Sequence, residues 1–378
     1  NGVFVGKLFV DKNFLDVGLA VRRAAKHRAY ASTRMLASIF ALIIVAACAE
    51  RPPTFERLEG QTMGTYYRVQ FLSTDSCAPT PLQVDYLLQE FNQSLSTYIP
   101  GSEISRFNAA PANTAVAVSE RFWTALLAAK QIYDASQGAF DITIGPLVNL
   151  WGFGPTDGVV LPSEAEQTAA SAAVGMSNLQ LQVAPDQAAE GLSGEIVKTA
   201  PGVYIDLSAI AKGQGVDEVA ALLESQGCMR YMVDIGGEVR VRGLNPSGTR
   251  WRIGIETPEP GLINSVFRVV HVTDQAVATS GDYRNFRLVE GIRVDHVIDP
   301  RSGKPAANAV ASVTVVHPTA MFADAYATTM MVLGADAGLA FAAAQNLAVF
   351  MVIKTAEDQF EARYTDAMLA FLNNPNDS

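Results

Sequence analysis

The sequence predicts an α+β fold with largely antiparallel sheets flanked by helices. Its predicted strands come in runs, and the helices lie between groups of strands, an order that disfavours a doubly wound parallel sheet. Gly236-Gly237 separates two short strand-like stretches, as in a hairpin. The 378 residues are 49% hydrophobic and 17% charged, which provides material for a core and excludes disordered and collagen-like classes.

The first half of the chain combines one clear strand with amphipathic helices. Residues 66–71 alternate between apolar and polar side chains and predict the strand. Apolar residues at helical spacing predict helices over residues 82–95, 122–133 and 163–173. Glycines punctuate residues 138–155 and predict a long ordered loop, and residues 156–200 otherwise predict a peripheral segment.

The second half is rich in short stretches with strand character. They predict strands over residues 203–207, 231–235, 238–242, 251–256, 267–272, 275–279, 286–289, 296–298 and 311–316. Helical patterns predict helices over residues 211–225, from residue 321 onward, and over 338–345.

Residues 1–48 differ from the rest in charge and hydropathy and predict a leader with a signal peptide. They hold seven basic and two acidic residues, which leaves 21 basic and 36 acidic residues, a net charge of −15, for the remainder. The apolar run over 35–48 has the length of a signal-peptide core and is too short to span a bilayer comfortably. It ends in Val45-Ala46-Ala47-Cys48, which resembles a bacterial lipobox with Cys48 as the lipidated residue. An ordinary signal peptide with a buried Cys48 is the alternative.

After the leader we expect a tether over residues 49–59, one domain over 60–355 and a C-terminal tail over 356–378. The whole chain carries a net charge of −10, so the basic surface that nucleic-acid binding requires is not expected. Cys77 and Cys228 fit either a disulfide of an exported protein or two core thiols.

Common catalytic motifs are absent from the sequence. It contains no GxSxG, HExxH or GxxxxGK[ST] pattern, which disfavours nucleophile-elbow hydrolases, zincins and P-loop enzymes. Three other stretches combine residue types that are suited to chemistry, and each also has an ordinary structural explanation.

In the first stretch, Asp206 precedes small residues and Lys212, which lies at a helix start and suits phosphate binding. Local sequence alone favours the alternative, a capped helix with a surface lysine. In the second, the i, i+4 pair Asp324 and Thr328 offers oxygens to a hard cation such as Mg²⁺, or forms a polar stripe on an Ala-rich helix. In the third, His296 lies on a predicted short strand before a turn and fits a functional or a structural histidine.

Together these stretches resemble the ApbE family of flavin transferases, the FAD:protein FMN transferases, from Gly60 to about Leu333. The matching stretches are TMGT (62–65), STY (96–98), SEISRFN (102–108), GAFD (138–141), DLSAIAKG (206–213), VDIGGE (233–238), TSGDYR (279–284), HVIDPRSG (296–303) and DAYAT (324–328). The resemblance implies an ApbE-like fold and an enzyme that binds FAD with Mg²⁺ and cleaves its pyrophosphate. FMN would then be joined by a phosphoester bond to a threonine or serine of a target protein, with release of AMP.

The resemblance also implies roles for individual residues. Side-chain oxygens of Asp324 and Thr328 and the carbonyl of Ala209 would bind Mg²⁺, and Lys212 would contact the flavin nucleotide beside it. The other residues expected at the FAD site are Met63, Tyr98, Ala139, Phe140, Asp141, Asp206 and Ile298. His296 is the candidate base for the acceptor hydroxyl. Asp282 and Arg284 are expected to organise the site.

The resemblance and the leader together predict a lipid-anchored, periplasm-facing enzyme that acts on flavin-accepting membrane redox subunits. One alternative is an FAD pyrophosphatase, in which water replaces the protein hydroxyl and the products are FMN and AMP. Another is a non-catalytic FAD-binding lipoprotein. The presence of Asp324, Thr328 and Lys212 favours an enzyme over a binding protein.

Overall fold

The computed structural model describes residues 54–155, 161–183, 191–258, 265–282, 286–289, 292–356 and 359–373. They belong to a compact unit that begins at Thr54. The predicted leader, Cys48 and Arg284 lie outside the described residues, so the lipobox stays a prediction. None of the helices described here has both the length and the apolar character needed to cross a bilayer.

Six of the described helices match predicted ones, whereas those at Glu103–Ala109, Gly145–Leu150 and Leu369–Leu372 were not predicted. The described helices are α1 (Pro81–Leu95), α2 (Glu103–Ala109), α3 (Glu120–Ser136), α4 (Gly145–Leu150), α5 (Glu164–Ser171), α6 (Ala211–Ser225), α7 (Ala320–Leu333), α8 (Ala335–Ala344) and α9 (Leu369–Leu372), with 3₁₀ turns at Met176–Asn178 and Asp366–Met368. Capping boxes fix the starts of α1 and α5, where Thr80 and Ser163 exchange hydrogen bonds with Gln83 and Glu166.

The strands form one large sheet and several small ones. They are β1 (Thr54–Thr62), β2 (Thr65–Ser73), β3 (Val116–Ser119), β4 (Leu179–Val183), β5 (Leu192–Lys198), β6 (Tyr231–Ile235), β7 (Glu238–Arg242), β8 (Trp251–Glu256), β9 (Val266–Val272), β10 (Ala276–Gly281), β11 (Phe286–Val289), β12 (Ile292–Asp295), β13 (Ile298–Asp299), β14 (Lys304–Pro305), β15 (Val310–His317), β16 (Ala348–Ala356) and β17 (Gln359–Tyr364).

The large sheet has the order β1-β2-β6-β7-β10-β15-β16-β17, and each neighbouring pair is antiparallel. The small sheets β3-β5-β4, β8-β9, β11-β12 and β13-β14 are antiparallel as well. The α+β class with largely antiparallel sheets is therefore confirmed.

Apolar layers cover both faces of the large sheet. Ala278, Val313 and Val315 face a core that includes residues of α3 and α7, whereas Val277 and Val316 face the β8-β9 hairpin. Because both of its faces are covered, β15 is buried from Val310 to Val316 and reads as a continuous apolar strand with few polar interruptions.

Both ends of the described unit differ from the sequence prediction. Residues 54–59, predicted as tether, belong to β1 and pair with β2. The predicted tail also continues the sheet, because β17 pairs with β16. Both are edge strands with many exposed side chains, so their hydrophobic pattern is weak and strand pairing defines them.

Several internal elements also differ from the prediction. Residues 203–207 form no sheet strand, and Tyr204 makes only an isolated parallel bridge with Ile144. His296 lies between β12 and β13 and not on a strand. The segment 156–200 contains β4 and β5, which pack Leu179 and Ile196 into the core, and α4 lies within the predicted loop. Tertiary packing decides these elements, since their local pattern is short.

A disulfide joins Cys77 to Cys228, which resolves the alternative that the sequence left open. The two residues are 151 positions apart and both are buried. The bond connects the loop after β2 to the loop between α6 and β6, and so ties α6 to the β2 side of the large sheet.

Replacing Cys77 and Cys228 together by serine is expected to lower the free energy of unfolding by up to about 5 kcal/mol, the loop-closure value for a loop of this length. Urea unfolding of the oxidised wild type and the double variant measures the difference. The reduced wild type is the control and should approach the variant. Equal midpoints for all three samples would contradict the prediction.

Candidate functional site

A cavity of about 580 Å³ lies where α6, α7 and the large sheet meet the turn around His296. The predicted site residues that line it are Met63, Ala209, Lys212, His296, Ile298, Asp324 and Thr328. The structure thus places the predicted cation-binding residues, the candidate base and part of the predicted FAD-binding set around one space.

Close packing of α6 against α7 brings Lys212 and Asp324 together. A Cβ atom on Gly213 would lie 2.2 Å from the carbonyl oxygen of Ala320, so only glycine allows this approach. The Gly213 amide donates a hydrogen bond to Asp324 Oδ2 at 3.1 Å. One turn further along α6, Asp217 accepts hydrogen bonds from the Ala320 and Met321 amides at 3.0 and 2.9 Å. Asp217 therefore caps α7, a contact that local sequence does not reveal.

Three charged side chains form the buried centre of the cavity. Lys212 Nζ lies 2.7 Å from Glu238 Oε1 and 3.7 Å from Asp324 Oδ1. Asp324 and Glu238 are only 2% and 3% exposed. Burial favours a lower pKa for Lys212, but the carboxylates of Asp324 and Glu238 outweigh it and raise the pKa above its ordinary value. Burial raises the pKa of Glu238 to about 7, although the Lys212 ammonium opposes the shift.

Glu238 was not among the predicted site residues, and the structure places it in the cavity. It is the first residue of β7, directly after the Gly236-Gly237 turn. Its position at the end of the VDIGGE stretch was the available signal, but the contact with Lys212 depends on how β7 packs beside α6.

The predicted cation ligands offer a carboxylate, a hydroxyl and a carbonyl. Thr328 follows Asp324 by one helical turn, and its hydroxyl is hydrogen-bonded to Ser280 Oγ at 3.1 Å. Ala209 lines the cavity just before α6 begins. Within the described residues, no group of three or more His, Cys, Asp or Glu side chains is arranged to hold a metal. The oxygen donors nevertheless suit Mg²⁺, which binds few carboxylates and keeps several waters.

Four of the remaining predicted FAD-site residues do not line the cavity and lie on two segments next to it. The Asp206 amide donates to the Ile142 carbonyl at 2.8 Å, which joins the segment after α3 to the segment before α6. Ala139, Phe140 and Asp141 are buried on the first segment. Asp141 Oδ1 accepts hydrogen bonds from the Thr143 amide and hydroxyl, so this carboxylate stabilises the conformation of its own loop.

Tyr98 lies on a third segment, after α1, and does not line the cavity. Tyr98 is 67% exposed and its hydroxyl donates to the Phe153 carbonyl at 3.3 Å. Partial burial and the nearby Asp206 charge raise the pKa of the Tyr98 phenol. Asp206 Oδ1 accepts a hydrogen bond from the Ser208 amide, and Ser208 lines the cavity. An exposed aromatic ring suits packing on a flat ligand.

His296 contacts the ring of Phe153, the residue whose carbonyl accepts the Tyr98 hydroxyl. Its ring lies 6.3 Å from the Phe153 ring in an edge-to-face arrangement. The Arg287 guanidinium lies 5.5 Å from the same Phe153 ring. Trp151 Nε1 donates to the Gly303 carbonyl at 3.0 Å and so ties the Phe153 loop to the turn after His296. Sequence analysis did not single out Phe153 as a contact of His296.

Asp282 lies just outside the cavity, in the segment that follows β10. Its carboxylate pairs with Arg293 at 3.1 Å, and the Arg293 guanidinium also donates to the Asp282 carbonyl at 2.9 Å. The organising role of Asp282 stays a prediction. Gly281, its neighbour in the chain, lines the cavity.

Comparison with known proteins finds one consistent group of relatives. The model of the ApbE family matches residues 63–351. The FAD:protein FMN transferase of Vibrio cholerae is 40% identical over 342 residues, which cover 89% of this chain and 98% of that protein. The protein of the same name from Escherichia coli is 35% identical over 347 residues, with coverage of 89% and 97%.

Solved structures give the same result. The flavin transferase ApbE from Vibrio cholerae superposes with a TM-score of 0.76 at 40% identity, covering 85% of this chain and 100% of that chain. The apo form of the Pseudomonas stutzeri flavinyl transferase ApbE superposes with a TM-score of 0.75 at 33% identity, covering 85% and 97%.

Proposed function

Because the chain belongs to the ApbE family, we propose that it is an FAD:protein FMN transferase that requires Mg²⁺ and releases AMP. The observation that carries the proposal is the single cavity shared by Lys212, His296, Asp324 and Thr328. The Lys212 ammonium, the candidate base His296 and the oxygens of Asp324 and Thr328 that could bind a metal line one space. This space is large enough for part of a nucleotide.

In the proposed reaction, the hydroxyl oxygen of an acceptor threonine or serine forms a bond to the FMN phosphorus of FAD. The bond from that phosphorus to the bridging oxygen breaks, and AMP leaves with the bridging oxygen. His296 accepts the hydroxyl proton. FMN remains attached to the acceptor through a phosphoester bond.

The other residues of the proposed site would bind Mg²⁺ and FAD. Asp324, Thr328 and the Ala209 carbonyl would hold Mg²⁺, which supplies positive charge to the phosphoryl oxygens when bound. The Lys212 ammonium orients the pyrophosphate. Met63 and Tyr98 pack against the flat rings of FAD. Asp206, Ile298 and the buried stretch Ala139-Phe140-Asp141 complete the FAD site.

The test incubates the leader-free protein with FAD and Mg²⁺, with and without a flavin-accepting redox subunit. AMP is followed by chromatography, and FMN on the acceptor by intact mass. AMP release only with acceptor, together with an FMN mass increase, supports the transferase. AMP and free FMN without acceptor would instead identify a pyrophosphatase. Bound FAD without AMP in either case would identify a binding protein.

We also propose that the enzyme is a lipoprotein that faces the periplasm and modifies membrane redox subunits. The Val45-Ala46-Ala47-Cys48 stretch supports a lipid anchor. The Cys77–Cys228 disulfide supports an oxidising compartment.

The full chain with Cys48→Ser is expected to lose its lipid and leave the membrane fraction. Labelling with a fatty-acid analogue and fractionation measure both effects, and Ala49→Ser, which keeps Cys48 and the disulfide, is the control that should keep the label. Equal labelling of the Cys48→Ser chain and the wild type would contradict the anchor.

A further inference from the structure

One oxygen of the buried Glu238 carboxylate lacks a hydrogen-bond partner among the described residues. The residue is 3% exposed, and its Oε1 atom pairs with Lys212 Nζ at 2.7 Å. Its Oε2 atom is buried and has no hydrogen-bond partner within the described part of the chain. Leaving a buried carboxylate oxygen without a donor is unfavourable, so the position indicates a ligand that brings a donor.

The Lys212 ammonium is shared unequally between two carboxylates. It lies at hydrogen-bond distance from Glu238 but 3.7 Å from Asp324 Oδ1, beyond a normal hydrogen bond. The other Asp324 oxygen accepts the Gly213 amide. Asp324 Oδ1 is therefore the oxygen that a cation could reach, and an ammonium bonded directly to it would compete with that cation.

The charges in the cavity favour binding of a cation before an anion. Lys212, Glu238 and Asp324 sum to a net charge of −1, and Glu256 also lines the cavity. With Glu256 included the sum is −2, and a divalent cation neutralises it, which removes the repulsion of the pyrophosphate of FAD. A bound Mg²⁺ would also keep several waters, and their O–H groups would supply the kind of donor that Glu238 Oε2 lacks.

We propose that Glu238 is a positioning residue that holds the Lys212 ammonium away from Asp324, keeps Asp324 open to a divalent cation and thereby makes the cation bind before FAD. This inference rests on the proposed function, because it takes Asp324 as a ligand of Mg²⁺. It adds a role for Glu238 that the ligand set alone does not include.

The test titrates metal-free protein with MgCl₂ alone by calorimetry in mildly alkaline buffer, without FAD. Glu238→Gln is expected to weaken Mg²⁺ binding roughly 10- to 100-fold, the usual effect of removing a group that supports a metal ligand. Lys212→Met is expected to tighten binding, because it removes the competing ammonium. The double variant Lys212→Met/Glu238→Gln should bind Mg²⁺ with an affinity close to that of the wild type, since no ammonium remains that could pair with Asp324.

Two further measurements separate this role from a structural one. Glu256→Gln removes the same charge from the same cavity, and its smaller effect should not be reversed by Lys212→Met. Fluorescence titration with FAD in the absence of Mg²⁺ should show tighter binding for Glu238→Gln than for the wild type. A folding defect would weaken the binding of both Mg²⁺ and FAD.

The outcomes distinguish the inference from the proposed function. If the wild type does not bind Mg²⁺, the cation site of the proposed function is wrong. If the wild type binds but Glu238→Gln binds equally well, or the double variant is not restored at an unchanged melting temperature, the inference is wrong. Should Glu238→Gln fail to fold, Lys212→Met alone decides, because weaker Mg²⁺ binding by this variant contradicts the inference.

Discussion

Asp324→Asn is expected to reduce FMN transfer about 10³-fold or more, because it removes the one carboxylate of the proposed cation site and that loss amounts to several kcal/mol of transition-state stabilisation. The side chain keeps its size, and the new amide oxygen can still accept the Gly213 hydrogen bond that Asp324 Oδ2 receives. The helix pair α6 and α7 should therefore stay intact. Intact-mass analysis of the acceptor and AMP release measure the loss.

The matched control for Asp324→Asn is Asp336→Asn on α8. Asp336 pairs with Arg363, and its side chain is 92% exposed, away from the residues that line the cavity. This variant loses the same charge and should transfer FMN at the wild-type rate. If Asp324→Asn kept more than a tenth of the activity, the carboxylate would not be a required ligand.

The second large effect is expected for His296→Gln, which should lower kcat for FMN transfer roughly 10²- to 10⁴-fold, the usual contribution of a positioned base. FAD affinity should change little, because the imidazole acts on the acceptor hydroxyl in the proposed reaction. The variant should also lose the rise in rate with pH that deprotonation of a catalytic base produces. Steady-state kinetics across pH measure all three quantities.

His271→Gln is the control for His296→Gln, since His271 lies on β9 and does not line the cavity. It should retain the wild-type kcat and pH profile. A His296→Gln enzyme with unchanged kcat and a raised KM for FAD would show that the imidazole binds substrate and does not take the proton.

Local pattern was sufficient wherever an element carries its own periodicity. The helix over 211–225 matches α6 at both ends, and the Gly236-Gly237 hairpin joins β6 and β7 as predicted. The edge strands β1 and β17 were missed because half-exposed strands carry a weak pattern. The strand predicted over 203–207 was wrong because a short apolar stretch does not by itself find a partner strand.

The sequence motifs also contain most of the residues that line the cavity. Met63, Lys212, Asp324 and Thr328 come from three separate stretches, yet they line one space. Motifs did not indicate that Asp217 caps α7 or that Phe153 packs against His296. Neither residue needs a distinctive local pattern for these contacts, since an Asp on a helix and a Phe in a glycine-rich loop have many possible environments.

By itself, the sequence determined the α+β class, the ApbE family and the set of candidate cation and flavin residues. Only the tertiary structure decided that Cys77 bonds to Cys228, that Gly213 lets α6 contact α7, and that Lys212 lies closer to Glu238 than to Asp324. Gly213 and Asp324 are 111 positions apart. The energy of such contacts depends on packing, burial and charge in the folded chain, whereas helix and strand patterns reflect interactions between near neighbours in sequence.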